Sequence, residues 1–219
     1  FWVKIGSIST SDDTFLLDFN TDDNNRSNIG FNTAQQLVVY EKVSGSTVHL
    51  VVTNRIFRDS SAWYHICVTV DKTQSTASDR TKIYVNGVQE TSLSATTYPP
   101  ENTAGIINTA VNTLIGKYSQ NTYYFDGCLS HVHFVDGTAY QASTFGSTDS
   151  TTGEWKINTS PSITMGNNGF TILKDGNTIT DQSANSNNFT LGGGTLTNLK
   201  DCPDNNFTTL NPLNAYYTN

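Results

Sequence analysis

Lys82-Ile83-Tyr84-Val85-Asn86-Gly87-Val88-Gln89-Glu90 is the stretch that decides the fold class. Asn-Gly between two Val residues supplies the paired positive-φ positions of a type I′ turn, whose twist matches the strands it joins. The stretch therefore reads as a β-hairpin. Just upstream, Tyr64-His65-Ile66-Cys67-Val68-Thr69-Val70-Asp71 puts Ile66, Val68 and Val70 on one face and His65, Cys67, Thr69 and Asp71 on the other, the pattern of a half-buried strand. Working outward, strand-like segments recur at 1–5, 14–19, 28–32, 36–40, 47–53, 63–71, 81–85, 88–92, 112–117, 124–135 and 169–174, separated by Gly, Asn, Asp and Ser clusters. Residues 71–80 and 96–108 read as surface loops. The expected core is Ile66, Val68, Val70, Ile83, Val85, Leu114, Val132 and Phe134.

Composition agrees. The chain has 219 residues, a length that a β-sandwich reaches as one domain. It carries 24 Asn, 33 Thr and 21 Ser against 10 Ala, 13 Leu and 1 Met, which excludes a helical bundle. The net charge is −7 and the 12 basic residues are scattered, so no nucleic-acid partner is expected, because phosphate tracking needs a basic stripe. No apolar run approaches the roughly 18 to 20 residues of a membrane-spanning helix, and no basic amphipathic stretch occurs, so no membrane insertion is expected. Cys67, Cys128 and Cys202 are odd in number and lack CxxC spacing, which points to free thiols. The chain opens at Phe1 already in strand-like alternation, without Met or a signal-like region, and reads as a segment of a longer polypeptide.

From Ser147 the composition turns to Ser, Thr, Gly and Asn, with Trp155 and Phe170 as isolated anchors and Gly192-Gly193-Gly194 as a bulged or flexible run. Residues 1–146 are thus expected to form the sandwich. Residues 147–219 form a polar extension lying along the sandwich or a neighbouring subunit. Asn-Asn-Phe-Thr occurs twice in it, at 187–190 and 205–208.

Several blocks together carry a resemblance: Trp63-Tyr64-His65-Ile66-Cys67-Val68-Thr69-Val70-Asp71, Lys82-Ile83-Tyr84-Val85-Asn86-Gly87, Ile115-Gly116 and Tyr124-Phe125-Asp126-Gly127-Cys128-Leu129-Ser130-His131-Val132-His133-Phe134. Over roughly residues 1–140 they resemble the laminin-G-like, concanavalin A-like lectin/glucanase jelly roll. The resemblance implies an all-β, two-sheet antiparallel jelly-roll sandwich whose edge loops bind calcium or carbohydrate. Phe57-Arg58-Asp59-Ser60-Ser61-Ala62-Trp63-Tyr64-His65, the tract from Val135 through Tyr140 to Gly146, and Asn205-Asn206-Phe207-Thr208-Thr209-Leu210-Asn211-Pro212-Leu213 resemble the version carried by virion and tail-fibre proteins of tailed marine phages. Family members usually have a further strand before the position of Trp2; here the sequence either starts late or the segment near Phe170-Thr171-Ile172-Leu173 is expected to fill that slot.

The chemistry expected from the residues is binding rather than catalysis. Glycoside hydrolysis needs two carboxylates across the sugar, and the four Glu, at 41, 90, 101 and 154, show no such arrangement. No catalytic residues and no required cofactor are assigned. Asp22, Asp23 and Asn24, with Asp12 and Asp13 at the other end of one strand, offer oxygens of the kind calcium takes, and the same residues also build turns. His131, His133 and His65 could share a face as zinc ligands, or be solvent-facing or hydrogen-bonded. Trp63 reads as core. Tyr118, Asn121 and Tyr123 form a loop suited to a glycan, rings stacking on sugar faces and the amide reading hydroxyls, while Tyr124 and Phe125 would cap the core. Sequons at Asn25, Asn158, Asn188 and Asn206 follow from composition. The reading is a non-enzymatic structural protein on a phage virion surface, a tail-fibre, appendage or capsid-decorating module. Its expected partners are other virion proteins, copies of itself as a homo-oligomer, and host cell-surface glycans. The alternative is a secreted lectin or glycan-active hydrolase of cellular origin.

Overall fold

The computed structural model describes residues 1–205 apart from 108, 110, 121 and 122, so Asn121 and the tract from Asn206 onward lie outside the described residues. Alternating apolar residues build two antiparallel sheets. One has six strands in the order β10 (Asn112–Ile115), β2 (Thr14–Asp22), β3 (Asn25–Phe31), β4 (Gln36–Val43), β5 (Ser46–Ile56) and β9 (Leu93–Thr97). The other has five, in the order β11 (Asp126–Ser130), β1 (Trp2–Ser7), β6 (Trp63–Val70), β7 (Thr81–Val85) and β8 (Val88–Gln89). Two ribbons complete the described strands: β12 (Val132–Phe134) with β15 (Phe170–Ile172), and β13 (Gly146–Thr148) with β14 (Trp155–Ile157). Helix among the described residues is limited to two 3₁₀ turns, Ala77–Asp79 and Ala142–Thr144. This is the all-β sandwich the alternation called for.

The inner faces meet in one cluster. Val3, Ile5, Ile66, Ile83 and Val85 of the five-stranded sheet pack on Leu17, Phe19, Ile29, Phe31, Leu37, Val39 and Val51 of the other. The Asn86-Gly87 turn has φ of +48° and +78°, the two left-handed positions of its type. The Asn86 side chain also contributes, its Oδ1 accepting from the backbone N–H of His65 at 2.8 Å.

The expected strand at 124–135 is two strands. His131 adopts a φ of +46°, so β11 stays with β1 in the five-stranded sheet while β12 leaves to pair with β15. Part of the expected loop at 96–108 is strand: β9 closes the six-stranded sheet, with Thr97 opposite Leu50 and Leu93 opposite Thr53. Ile66, Ile83, Val85 and Val132 are buried in the core, and Val68 and Phe134 pack against it half-buried. Leu114 does not join them. It sits opposite Asp18 on the outer face, and its neighbour Ile115 turns inward instead. Val70, close to a strand end, is also outside the cluster.

Beyond residue 146, Phe170 and Ile172 lie within the same core, 3% and 2% exposed. Phe170 stacks on Phe134 at 5.6 Å and takes the edge of Phe189 at 4.8 Å. Asp181 fastens this segment by accepting from the backbone N–H groups of Thr171, Ser183 and Asn187. The β13–β14 hairpin lies over the outer face of the five-stranded sheet, where Phe145 and Trp155 pack on Cys67, Tyr84 and Ala142. The three cysteines are free, and burial pushes the Cys67 thiol up to about 11, so it is not a nucleophile near neutral pH.

Candidate functional site

A strand that gives one face to the core presents the other outward. In the six-stranded sheet that outer face carries Phe15 on β2, Arg26 and Asn28 on β3, Val38 and Tyr40 on β4, and Leu50 and Val52 on β5. With Tyr118 from the segment after β10 these residues line a cleft of about 380 Å³. The register brings them into rows: Asn28 lies opposite Tyr40, and Tyr40 opposite Leu50.

Asp18 organises the polar end. It is fully buried and saturated: Oδ1 accepts from the Asn28 amide at 2.6 Å, and Oδ2 accepts from the Asn20 amide at 3.2 Å and the Ser119 backbone N–H at 2.7 Å. One carboxylate thus orients Asn28 and ties the Tyr118 segment to the sheet. Tyr118 packs edge-on against Phe15 at 4.8 Å. Arg26 lies between two rings, 5.6 Å from the centre of Tyr40 and 5.5 Å from that of Tyr118, with Nη1 donating to the Asp23 carbonyl and carboxylate. Burial pushes the Tyr118 phenol up to about 12, so it remains a hydroxyl donor. Burial also raises the carboxyl of Asp13 at the rim.

Two atoms here are buried without a protein partner: Nε of Arg26 and Oδ1 of Asn28. Leaving such a group unmet costs about 1–3 kcal/mol, and native structures satisfy nearly all of them. A donor and an acceptor on alternate residues of one strand suit a hydroxyl, which accepts from one and donates to the other. Phe15, Tyr118, Val38 and Val52 supply apolar surface beside them.

Of the glycan residues expected from the sequence, Tyr118 lines the cleft, Tyr123 is 42% exposed and lies outside its lining, and Asn121 is outside the described residues. Tyr124 does not cap the core. It is 67% exposed with Lys117 over its ring, while Phe125 packs inward. The proposed calcium oxygens belong to the β2–β3 turn. Asp22 Oδ1 accepts from the Asn24 backbone N–H and the Asn25 amide, Asp23 is paired with Arg26, and the Asn24 carbonyl accepts from Gly45. No group of three or more His, Cys, Asp or Glu able to hold a metal occurs among the described residues. Of the histidines expected on a common face, His65 and His131 are buried, and His65 stacks on Trp155 at 5.8 Å with its Nδ1 lacking a hydrogen-bond partner. His131 Nδ1 bonds Ser130 Oγ at 2.7 Å and His133 Nδ1 bonds Thr171 Oγ1 at 2.9 Å. Trp63 is buried as expected, 7% exposed, though outside the inter-sheet cluster, and its indole N–H donates to Asp201 at 3.0 Å.

Arg26, Asn28, Tyr40 and Phe15 were not legible as a site. Arg26-x-Asn28 and Val38-x-Tyr40 show the alternation, but only the structure says which face is left open.

A two-sheet antiparallel sandwich with a cleft across one outer face defines a lectin-type scaffold. The chain belongs to the concanavalin A-like lectin/glucanases superfamily: the laminin-G-type model of that description matches residues 1–144. No curated protein and no solved structure matches the chain.

Proposed function

We propose that this chain is a non-catalytic module of a virion surface protein that holds a glycan in the outer-face cleft of the six-stranded sheet. The observation that carries the reading is the orphaned pair, Arg26 Nε and Asn28 Oδ1, set beside the Tyr118 and Phe15 rings. Aromatic faces receive the C–H side of a pyranose while the polar pair reads a hydroxyl. Catalysis is disfavoured because Asp18, the carboxylate behind the cleft, is locked by three donors, whereas hydrolysis needs an acid and a carboxylate both free to reach the sugar. No cofactor is required by this reading, and binding should survive a calcium chelator. The virion placement rests on the resemblance of the tracts at 57–65 and 135–146 to phage proteins, and many copies on one particle would turn weak sites into firm attachment.

Glycan-array binding by the 219-residue chain that is lost in Tyr118→Ala and Arg26→Gln, both with an unchanged melting transition, supports the cleft. Polysaccharide cleavage abolished by replacing one Asp or Glu would instead make the protein a hydrolase. Mass spectrometry of purified particles tests the virion assignment, which fails if the parent chain is found only as a secreted protein.

A further inference from the structure

The segment that covers the outer face of the five-stranded sheet has no hydrogen-bonded tie to that sheet. Residues 141–158, a 3₁₀ turn followed by the β13–β14 hairpin, pair only with themselves: among the described residues every backbone hydrogen bond made there is internal, Asn158 donating to Phe145 and Asp149 to Glu154. Rings hold the segment down instead. Trp155 stacks on His65 at 5.8 Å, and Phe145 lies 6.2 Å from His65 and stacks on His133 at 5.5 Å. With Cys67, Tyr84 and Ala142 they form a cluster separate from the one between the sheets.

The two aromatic side chains of this strap therefore cover two imidazoles. His65 is 1% exposed, and its Nδ1, like Trp155 Nε1, is buried without a partner. A proton added at that nitrogen would be a buried donor with no acceptor, on a charged ring. His133 is half-buried, with Nδ1 on Thr171 Oγ1. Burial lowers both rings, to about 2 and about 3, and the charges that act on them add to the effect: the Phe1 amino group and His133 on His65, and the Phe1 amino group, His131 and Lys174 on His133. Asp175 and Asp204 act on His131, and the Cys67 thiol on the same strand face is un-ionised. The strap itself brings Asp149 and Lys156, paired with each other, and the exposed Glu154; none of the three is among the charges felt by the two rings. No counter-charge is in place to stabilise either imidazolium.

We propose that the β13–β14 hairpin is a pH-operated strap: protonation of His65 and His133 lifts it from the five-stranded sheet while the sandwich beneath stays folded. Lifting uncovers Cys67 and Tyr84 and removes Trp155 as one wall of a cleft of about 440 Å³ that Trp2 and Trp63 also line. The sign follows from linkage. Both rings titrate near 6.5 once uncovered and far lower while covered, so the strap is closed above that value and opens as the pH falls below it. Between pH 7 and 5 each ring multiplies the open-to-closed ratio by about 25, and the two together by roughly 600. A lifted two-stranded hairpin is marginal by itself, so its amides exchange with solvent.

The test is mass-resolved hydrogen exchange of the 219-residue chain at pH 7 and 5, corrected for the pH dependence of the chemical exchange rate. Protection over 146–157 is expected to fall several-hundredfold while β2, β3 and β4 keep theirs, and His65→Phe, which keeps a ring under Trp155 and removes one proton site, should leave a fall of about 25-fold. Unchanged protection of the strap, or a loss shared equally by β2, β3 and β4, overturns the proposal, as does a full response in His65→Phe. If that variant does not fold, the comparison of strap with sandwich in the unaltered chain decides.

Discussion

Phe170→Ala tests whether the polar segment after residue 146 is draped on the sandwich or completes it. Phe170 is 3% exposed, belongs to the main core cluster, and touches Phe134 and Phe189 through ring contacts at 5.6 and 4.8 Å. Its strand is also the ladder partner of β12, with Phe170 opposite Phe134 and Ile172 opposite Val132. Truncating a buried phenylalanine to alanine removes its transfer free energy and leaves a cavity that collapses only partly, at about 3–5 kcal/mol. A chain of this size loses roughly 2–4 °C of melting temperature per kcal/mol, so the transition should fall by about 6–20 °C. Urea denaturation followed by circular dichroism measures the free energy directly, and an unchanged slope would show that compactness is preserved. Leu191→Ala, at a position 50% exposed in the same segment, is the internal control and should cost no more than about 0.5 kcal/mol. If Phe170→Ala costs no more than Leu191→Ala, the claim that the extension supplies core is refuted.

Acidification should destabilise the fold, because burial lowers His49 to about 4, His65 to about 2 and His133 to about 3. These depressed values mean that stability is complete above the unfolded value near 6.5 and is lost as the pH falls below it. At pH 5 each costs about 2 kcal/mol, and a urea midpoint that does not move between pH 7 and 5 would refute this. Gly87→Ala combines a φ of +78° with a Cβ that would come within 2.2 Å of Trp155, so it should cost about 1–3 kcal/mol and alter indole emission; a neutral result would mean the hairpin and Trp155 are not in contact. Glu41, 1% exposed, pairs with Lys72 at 2.7 Å and accepts from the Ile106 N–H at 2.6 Å. Glu41→Ala should cost about 3–5 kcal/mol and speed hydrogen exchange at the Ile106 amide, and unchanged protection there would show that the contact does not hold the loop.

The fold was legible in the chain because its causes are local. Period-2 alternation from Ile66 to Val70 and the Asn86-Gly87 turn act over a few residues, and together with a composition hostile to helix they leave antiparallel sheets as the solution. Tyr118 was legible for the same reason, as an aromatic in a loop between strands. The rest depended on contacts distant in sequence. Alternation says that Leu114 and Ile115 face opposite ways, and only the pairing of β10 with β2 decides that Ile115 is the inner one. Asp18 looked like a turn former at a strand end; it becomes the anchor of a cleft through Ser119, 101 positions away. Phe170 stood alone in a polar run and is core because β12, released from its sheet by the left-handed His131, needed a partner. The three tryptophans, at 2, 63 and 155, meet in one cleft only when the β13–β14 hairpin folds across the five-stranded sheet. Strand and turn preferences are properties of neighbouring residues, whereas the open face, the covering segment and the unpaired polar atoms are set by which strands lie side by side, and that is fixed by long-range packing.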